Sequence, residues 1–180
     1  LPRSCDLRWS RRAARLAIRR TGSDRPPGDG TLPSTCYNIG MSATAPFHLA
    51  IPVDDLVAAR SFYGGVLGCP EGRSSDRWID FDLFGHQLVV HQVDGVAQRT
   101  ARNPVDGDAV PVPHFGVVLS VETFHQLRQR LEAAGVGFEI EPRVRFEGER
   151  GEQWTMFCFD PAGNALEFKG FANLDQLFAV

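Results

Sequence analysis

The sequence of 180 residues is poor in lysine, because Lys169 is its single lysine beside eighteen arginines. It also has no excess of positive charge. The formal net charge of −3 gives no electrostatic reason to expect nucleic acid as a partner, since that partner favours a basic surface. No apolar run approaches the roughly 20 residues that span a bilayer, so we expect no membrane partner and a cytoplasmic protein.

The cysteine pattern is equally sparse. Cys5, Cys36, Cys69 and Cys158 show no C-x-x-C spacing, so neither a zinc knuckle nor a disulfide framework is predicted. Hydrophobic residues make up 43% and charged residues 23%, which is typical of a globular chain. The length suits one domain with a substantial core.

Residues 1–40 differ in composition from the rest of the chain. They hold eight arginines and three aspartates but no glutamate, and residues 23–33 are dense in Gly, Pro and Asp. Met41 then opens a polar leader, MSATAP, directly before the first patterned strand. We therefore expect residues 1–40 to be a disordered or weakly helical extension. The alternative is that they are the in-frame translation of DNA upstream of a start at Met41. Residues 41–180 are expected to form a single domain.

The pattern from residue 47 onward predicts a first structural unit. Residues 47–53 have the composition of a strand, and Asp54 or Asp55 is placed to cap a helix that ends at Gly68. Residues 78–84 and 86–93 predict two further strands, joined at Gly85.

A second unit repeats this plan. Residues 114–121 predict a strand, followed by a helix that ends at Gly135 and by strands at 137–140, 144–146, 154–159 and 165–170. His48 and His114 open the first strands of the two units, and the helix ends follow at matching distances. The repeat predicts an α+β fold of two paired βαβββ modules, at residues 46–95 and 113–172, joined by a polar linker at residues 96–112.

His48, His114 and Glu167 are the candidate ligands of one divalent metal ion. The two histidines occupy the same position in the two repeats, and pseudo-symmetric packing would bring their strands together. Glu167 lies in the last strand, where a buried carboxylate is costly unless it is paired or binds a metal. Two imidazoles and a carboxylate form the facial triad that suits Fe(II), although Mn, Ni, Co or Zn also accept such ligands.

The two modules and the phrase Phe159-Asp160-Pro161-Ala162-Gly163-Asn164-Ala165-Leu166-Glu167 resemble the vicinal-oxygen-chelate superfamily. That group includes glyoxalase I, bleomycin-resistance proteins, fosfomycin-resistance enzymes and extradiol dioxygenases. The phrase is similar to the family's terminal hairpin, whose turn precedes the metal-binding carboxylate. The resemblance implies that eight strands curl into a cup around the metal. The strings FHLAIPVDDL, DFDLFGHQLVVH and VPVPHFGVVL are similar to small proteins predicted to be extradiol-type dioxygenases.

The number of protein ligands bears on the reaction that the resemblance implies. Matching Gly85 to Gly163 sets Val89 against Glu167, where glyoxalase-type members carry a fourth ligand. Val89 cannot ligate, and three ligands favour a dioxygenase acting on a small vicinal diol or enol. A hairpin register shifted by two residues would place His91 there instead, which leaves a glyoxalase-like isomerase or lyase as an alternative. A metal-free ligand-binding protein of the bleomycin-resistance kind is a third possibility.

His91 and His86 are the candidate acid–base residues. His91 lies two residues beyond Val89 on the same strand face, about 7 Å farther along the strand. Its imidazole titrates near neutral pH, so it can accept a proton from a diol. His86 resembles, in its sequence position, the acid–base histidine of extradiol enzymes.

Four further residues are candidate substrate contacts. Arg143 and Arg145 belong to a charged run with glycines that could cover the site and hold an anionic group. Trp78 could wall an aromatic pocket. Phe157 stands where extradiol enzymes carry a tyrosine, and this difference counts against ring cleavage. Some relatives pair their modules within a chain and others across a dimer, and we expect a homodimer.

Overall fold

The computed structural model describes residues 45–95 and 101–178, so the expectation for residues 1–40 lies outside the described part of the chain. The first module contains β1 (His48–Val53), β2 (Glu71–Ser74), β3 (Trp78–Leu83) and β4 (His86–Gln92). Helix α1 (Leu56–Ala59), which continues as a π-helical segment (Arg60–Val66), connects β1 to β2.

A hairpin of β5 (Ala101–Val105) and β6 (Asp108–Val112) comes between the modules. The second module contains β7 (Val118–Ser120), α2 (Val121–Ala133), β8 (Phe138–Arg145), β9 (Gln153–Phe159) and β10 (Ala165–Phe171). A short 3₁₀ turn (Leu174–Gln176) follows β10.

The two modules have the same strand order. One sheet runs β1-β4-β3-β2 and the other β7-β10-β9-β8, and in each the first strand is parallel to the last. This topology confirms the α+β fold with two βαβββ modules. Among the described strands no pairing joins the two sheets, so the eight-stranded cup is not confirmed for a single chain.

The helices begin and end where their local chemistry requires. Asp55 caps α1 by accepting the backbone N–H groups of Val57 and Ala58. Gly68 and Gly135 have φ angles of 73° and 71°, the left-handed conformation that stops a helix, which confirms both predicted ends.

The first strand of the second module is shorter than predicted. Ser120 caps α2 by accepting the N–H of Thr123, so the helix begins immediately after it. Phe115 makes only an isolated bridge to Leu166, and regular pairing starts at Val118.

One hydrophobic core joins both modules. Its members come from both helical segments and from one face of each sheet: Ile51, Val53, Leu56, Phe62, Tyr63, Ile79, Phe81, Leu88, Val90, Phe124, Leu127, Leu131, Met156, Leu166 and Phe168. Burial of this apolar surface is the main stabilising term. Because the helices occupy that face, the opposite face of each sheet remains for the site.

Two hydrogen bonds also tie the modules together. The Tyr63 hydroxyl donates to Oδ2 of Asp160 over 2.8 Å, and the side-chain amide of Asn164 donates to the Pro52 carbonyl over 3.0 Å. Burial, together with the nearby Asp160 carboxylate, raises the pKa of Tyr63 well above its usual value, so its hydroxyl stays protonated.

The segment expected to be a polar linker contains the β5–β6 hairpin. It turns at Asp106 and Gly107, both with positive φ, and Val110 packs on Ile140 and Phe157 of the second sheet. The hairpin therefore covers part of that sheet's face away from the helices. In the described part of the chain no helix has the length and apolarity to cross a membrane.

Candidate metal centre

His114 and Glu167 form a close pair. Nε2 of His114 lies 3.1 Å from Oε2 of Glu167, and Nδ1 lies 2.6 Å from the Pro111 carbonyl oxygen. A carbonyl only accepts hydrogen bonds, so Nδ1 carries a proton, and Nε2 is the ring nitrogen that faces the carboxylate. Two facing acceptor atoms need a proton or a cation between them. The pair therefore fits two ligands of one metal ion.

Glu167 is 9% exposed, and its two oxygens have different surroundings. Oε1 accepts a hydrogen bond from Thr155 Oγ1 over 3.0 Å, and the Lys169 ammonium is 3.7 Å away. These contacts offset part of the cost of burying the carboxylate. They also leave Oε2 to face His114.

The backbone approaches Glu167 closely on the His114 side. The Glu167 N–H donates to the Phe115 carbonyl over 2.8 Å. A Cβ atom at Gly116 would lie 1.7 Å from the Glu167 carbonyl oxygen, so only glycine allows this approach. The ring of Phe157 meets His114 edge-on, with centroids 5.1 Å apart, and holds the imidazole plane.

His48 opens β1 with an exposed side chain. Its Nδ1 lies 2.8 Å from Oε1 of Gln87, and Nε2 of Gln87 donates to Oδ2 of Asp80 over 3.3 Å. An amide oxygen only accepts hydrogen bonds, so this contact fits a proton on Nδ1 of His48.

One chain does not unite the three predicted ligands. Within residues 45–95 and 101–178, no group of three or more His, Cys, Asp or Glu side chains is arranged to hold a metal ion. The structure brings His114 to Glu167 and leaves His48 beside Gln87. The complete triad therefore stays a prediction.

Strand register shows which residue of the first module is equivalent to Glu167. His48 pairs with Gln87, two residues after Gly85, and the bridge between Phe115 and Leu166 sets His114 beside Ala165, two residues after Gly163. Val89 is therefore the counterpart of Glu167. The β3–β4 hairpin pairs Leu83 with His86 and shows no two-residue shift, so Val89 and not His91 is the counterpart of Glu167.

The two candidate acid–base histidines lie on either side of this position. His91 is exposed and lies four residues beyond Gln87 on the same face, about 13 Å along β4. Nδ1 of His86 accepts the Phe47 backbone N–H over 3.0 Å, so its proton is on Nε2. Their acid–base roles stay predictions.

The candidate substrate residues have structural partners. Arg143 is ion-paired with Asp108 and Arg145 with Asp106, so both guanidinium groups hold the β5–β6 hairpin. Phe157 is buried beneath the same hairpin.

Trp78 lies on the other sheet. It pairs with His91 across β3 and β4, and the guanidinium of Arg73 stands 6.0 Å from its ring centroid. Substrate contact by Trp78, Phe157, Arg143 and Arg145 stays a prediction.

The described cysteines offer no alternative ligands. Burial raises the pKa of the Cys69 thiol to about 11 and that of Cys158 to about 12, so neither is a thiolate at neutral pH. A cavity of about 290 Å³ opens instead beside His114, lined by β1 residues and by the turn at Gly163 and Asn164. Its size suits a small ligand.

The sequence interpretation missed four polar side chains of this centre. Thr155 and Lys169 contact Glu167, while Gln87 and Asp80 form a chain to His48. The alternation of side chains along a strand gave a usable signal for Lys169, because it lies two residues beyond Glu167 and so on the same face. Thr155 pairs across from Lys169, a relation that only the register of β9 and β10 reveals.

Comparison with known proteins agrees with this architecture. Residues 45–168 match the Glyoxalase/Bleomycin resistance protein/Dioxygenase superfamily, and the chain belongs to that superfamily. A glyoxalase/bleomycin resistance protein/dioxygenase from Alicyclobacillus acidocaldarius is 34% identical, with a TM-score of 0.62 over 74% of this chain and 96% of that one. No curated protein matches the chain.

More distant solved structures share the fold. The fosfomycin resistance protein FosX from Listeria monocytogenes is 17% identical, with a TM-score of 0.57 over 74% of this chain and 98% of that one. Lactoylglutathione lyase from Agrobacterium tumefaciens is 18% identical, with a TM-score of 0.51 over 77% and 99%.

Proposed function

We propose that the protein is a metal-dependent enzyme in which His114, Glu167 and His48 of a second copy hold one divalent ion. The observation that carries this proposal is the pair at 3.1 Å, in which Nε2 of His114 and a carboxylate oxygen face each other. The Pro111 carbonyl holds the Nδ1 proton and so keeps Nε2 available.

A homodimer supplies the third ligand. His48 is exposed, and Gln87 orients its ring so that Nε2 also carries the lone pair. A two-fold axis that set this strand against the His114–Glu167 pair of another copy would form two equal sites.

A divalent metal held by these residues would supply a Lewis-acidic centre for two neighbouring oxygen atoms of a substrate. The protein's own side chains hold and orient the ligand groups. Thr155 and Lys169 fix the Glu167 carboxylate, and the Lys169 ammonium adds positive charge beside an anionic diol.

We favour dioxygenolytic cleavage with Fe(II), because Val89 in the fourth-ligand position limits the protein to three ligands. Three ligands leave room for both oxygens of a diol and for O₂. In this reaction one carbon–carbon bond of the diol breaks, both atoms of O₂ enter the product, and no external reductant is needed.

Phe157 favours a second candidate, a glyoxalase-like isomerase or lyase. Its apolar side chain offers no hydroxyl beside His114. An isomerase or lyase needs only the Lewis acid and a base, so this difference does not count against it.

Metal analysis and oxygen uptake distinguish these reactions. Protein purified without oxygen is expected to hold about one Fe(II) per chain and to consume O₂ in proportion to the loss of a catechol. The control is Glu167→Gln, which removes the charged ligand. Conversion of a hemithioacetal without O₂ uptake would instead establish the isomerase, and wild-type protein without stoichiometric metal would contradict both.

A further inference from the structure

Three side chains form a continuous hydrogen-bonded chain on the face of the first sheet that carries His48. Gln87 lies between the other two, with its Oε1 2.8 Å from Nδ1 of His48 and its Nε2 3.3 Å from Oδ2 of Asp80. Strand register puts His48 and Gln87 directly side by side and Asp80 one pair farther along. The three groups therefore share one face.

The polarity of this chain follows from Asp80. A carboxylate only accepts hydrogen bonds, and Asp80 is 7% exposed. Arg73 donates two hydrogen bonds to the same oxygen, which therefore acts as an acceptor. Gln87 must therefore turn its NH₂ group to Asp80 and its oxygen to His48, because the opposite rotation would set two acceptors against each other.

We propose that Asp80 and Gln87 are positioning residues that keep His48 in the Nδ1–H tautomer, so that Nε2 is its metal-binding atom. The inference rests on the proposed function for the role of His48 as a ligand. It adds how the exposed His48 side chain keeps its proton on Nδ1 and leaves Nε2 free to bind the metal. A neutral histidine side chain in water favours the proton on Nε2, so His48 needs an acceptor at Nδ1.

The second module reaches the same ring state in a different way. Its residues equivalent to Gln87 and Asp80 are Ala165 and Phe157, which cannot form such a chain. His114 instead donates to the Pro111 carbonyl of β6. The first module has no hairpin beside its histidine among the described residues, and two polar side chains serve instead.

The direct test is the tautomer of His48 in the metal-free full-length chain, read from its imidazole ¹⁵N shifts at a pH where the ring is neutral. Wild-type protein is expected to show Nδ1–H. Gln87→Leu removes the acceptor and is expected to shift His48 largely to Nε2–H.

Two further variants separate this role from folding. Gln92→Leu makes the same change on the same strand away from His48, and no tautomer shift is expected. Asp80→Ala keeps Gln87 but frees its amide to rotate, so a mixture of both tautomers is expected. Asp80→Ala thus tests the same chain of contacts if Gln87→Leu does not fold.

Metal affinity gives the second readout. Loss of an outer-shell partner typically weakens binding about ten- to hundredfold, which is expected for Gln87→Leu, whereas Gln92→Leu should stay within about threefold of wild type. A wild-type His48 with its proton on Nε2, or an Nδ1–H tautomer that survives both Gln87→Leu and Asp80→Ala, would overturn the inference. Failure of the proposed function would appear separately, as expected tautomer shifts in a protein that binds no metal.

Discussion

At the scale of single residues, Gly116 decides how closely the His114 segment approaches β10. Any side chain there would meet the Glu167 carbonyl. Gly116→Ala is expected to lower the free energy of unfolding by about 3 kcal/mol or more, because backbone must move. Urea unfolding measures this change. Gly65→Ala is the control, since its added Cβ meets nothing within 4 Å, and it should stay within about 1 kcal/mol of wild type. Equal stability of the two variants would contradict the close approach.

The same scale shows which ligands a sequence can reveal. His48 and His114 stand at matching positions of a repeat, and Glu167 ends a recognisable phrase, so all three were predictable as candidates. The partners that orient them were not. Gln87 contacts His48 from a neighbouring strand, 39 residues away in the sequence. Pro111 contacts His114 through its backbone carbonyl, and every residue type has one, so the sequence gives no signal for this contact.

At the scale of elements, β4 and β10 are equivalent strands, so Val89 occupies the position that the proposed ligand Glu167 has in the second module. Val89→Glu is expected to raise metal affinity about tenfold or more by adding a fourth ligand, and to abolish O₂ uptake by filling an open position. Without metal, the buried carboxylate should destabilise the fold by about 2 kcal/mol. Isothermal titration and thermal unfolding with and without chelator measure both effects. Val93→Glu, at an exposed position just beyond β4, is the control. Unchanged metal affinity in Val89→Glu would contradict the equivalence.

Two elements could not be predicted from the sequence because their residues do not alternate between buried and exposed. All four residues of β2 are exposed, and in the β5–β6 hairpin only Val110 and Pro111 are buried. Ion pairs with β8, which involve Arg143 and Arg145, hold the hairpin together with the apolar contacts of Val110. The strands of the core, by contrast, carry the regular apolar pattern from which the two modules were predicted.

At the scale of the whole molecule, the described part of one chain does not gather the three candidate ligands into one group. Helices and core occupy one face of each sheet, and both candidate ligand groups lie on the other. Pairing between copies would join these faces and complete the cup that a single chain does not form. The central claim is therefore that the metal site is shared between two copies.

Mixing two defective variants tests this claim most directly. His48→Ala and His114→Ala protein should each bind no stoichiometric metal alone. After dissociation and reassociation together, they should regain about a quarter of the wild-type content, because half of random dimers are mixed and each mixed dimer has one complete site. His114→Ala mixed with Glu167→Ala is the control and should regain none, since both changes affect the same half. No recovery in the first mixture, with dimers exchanging freely, would contradict a shared site.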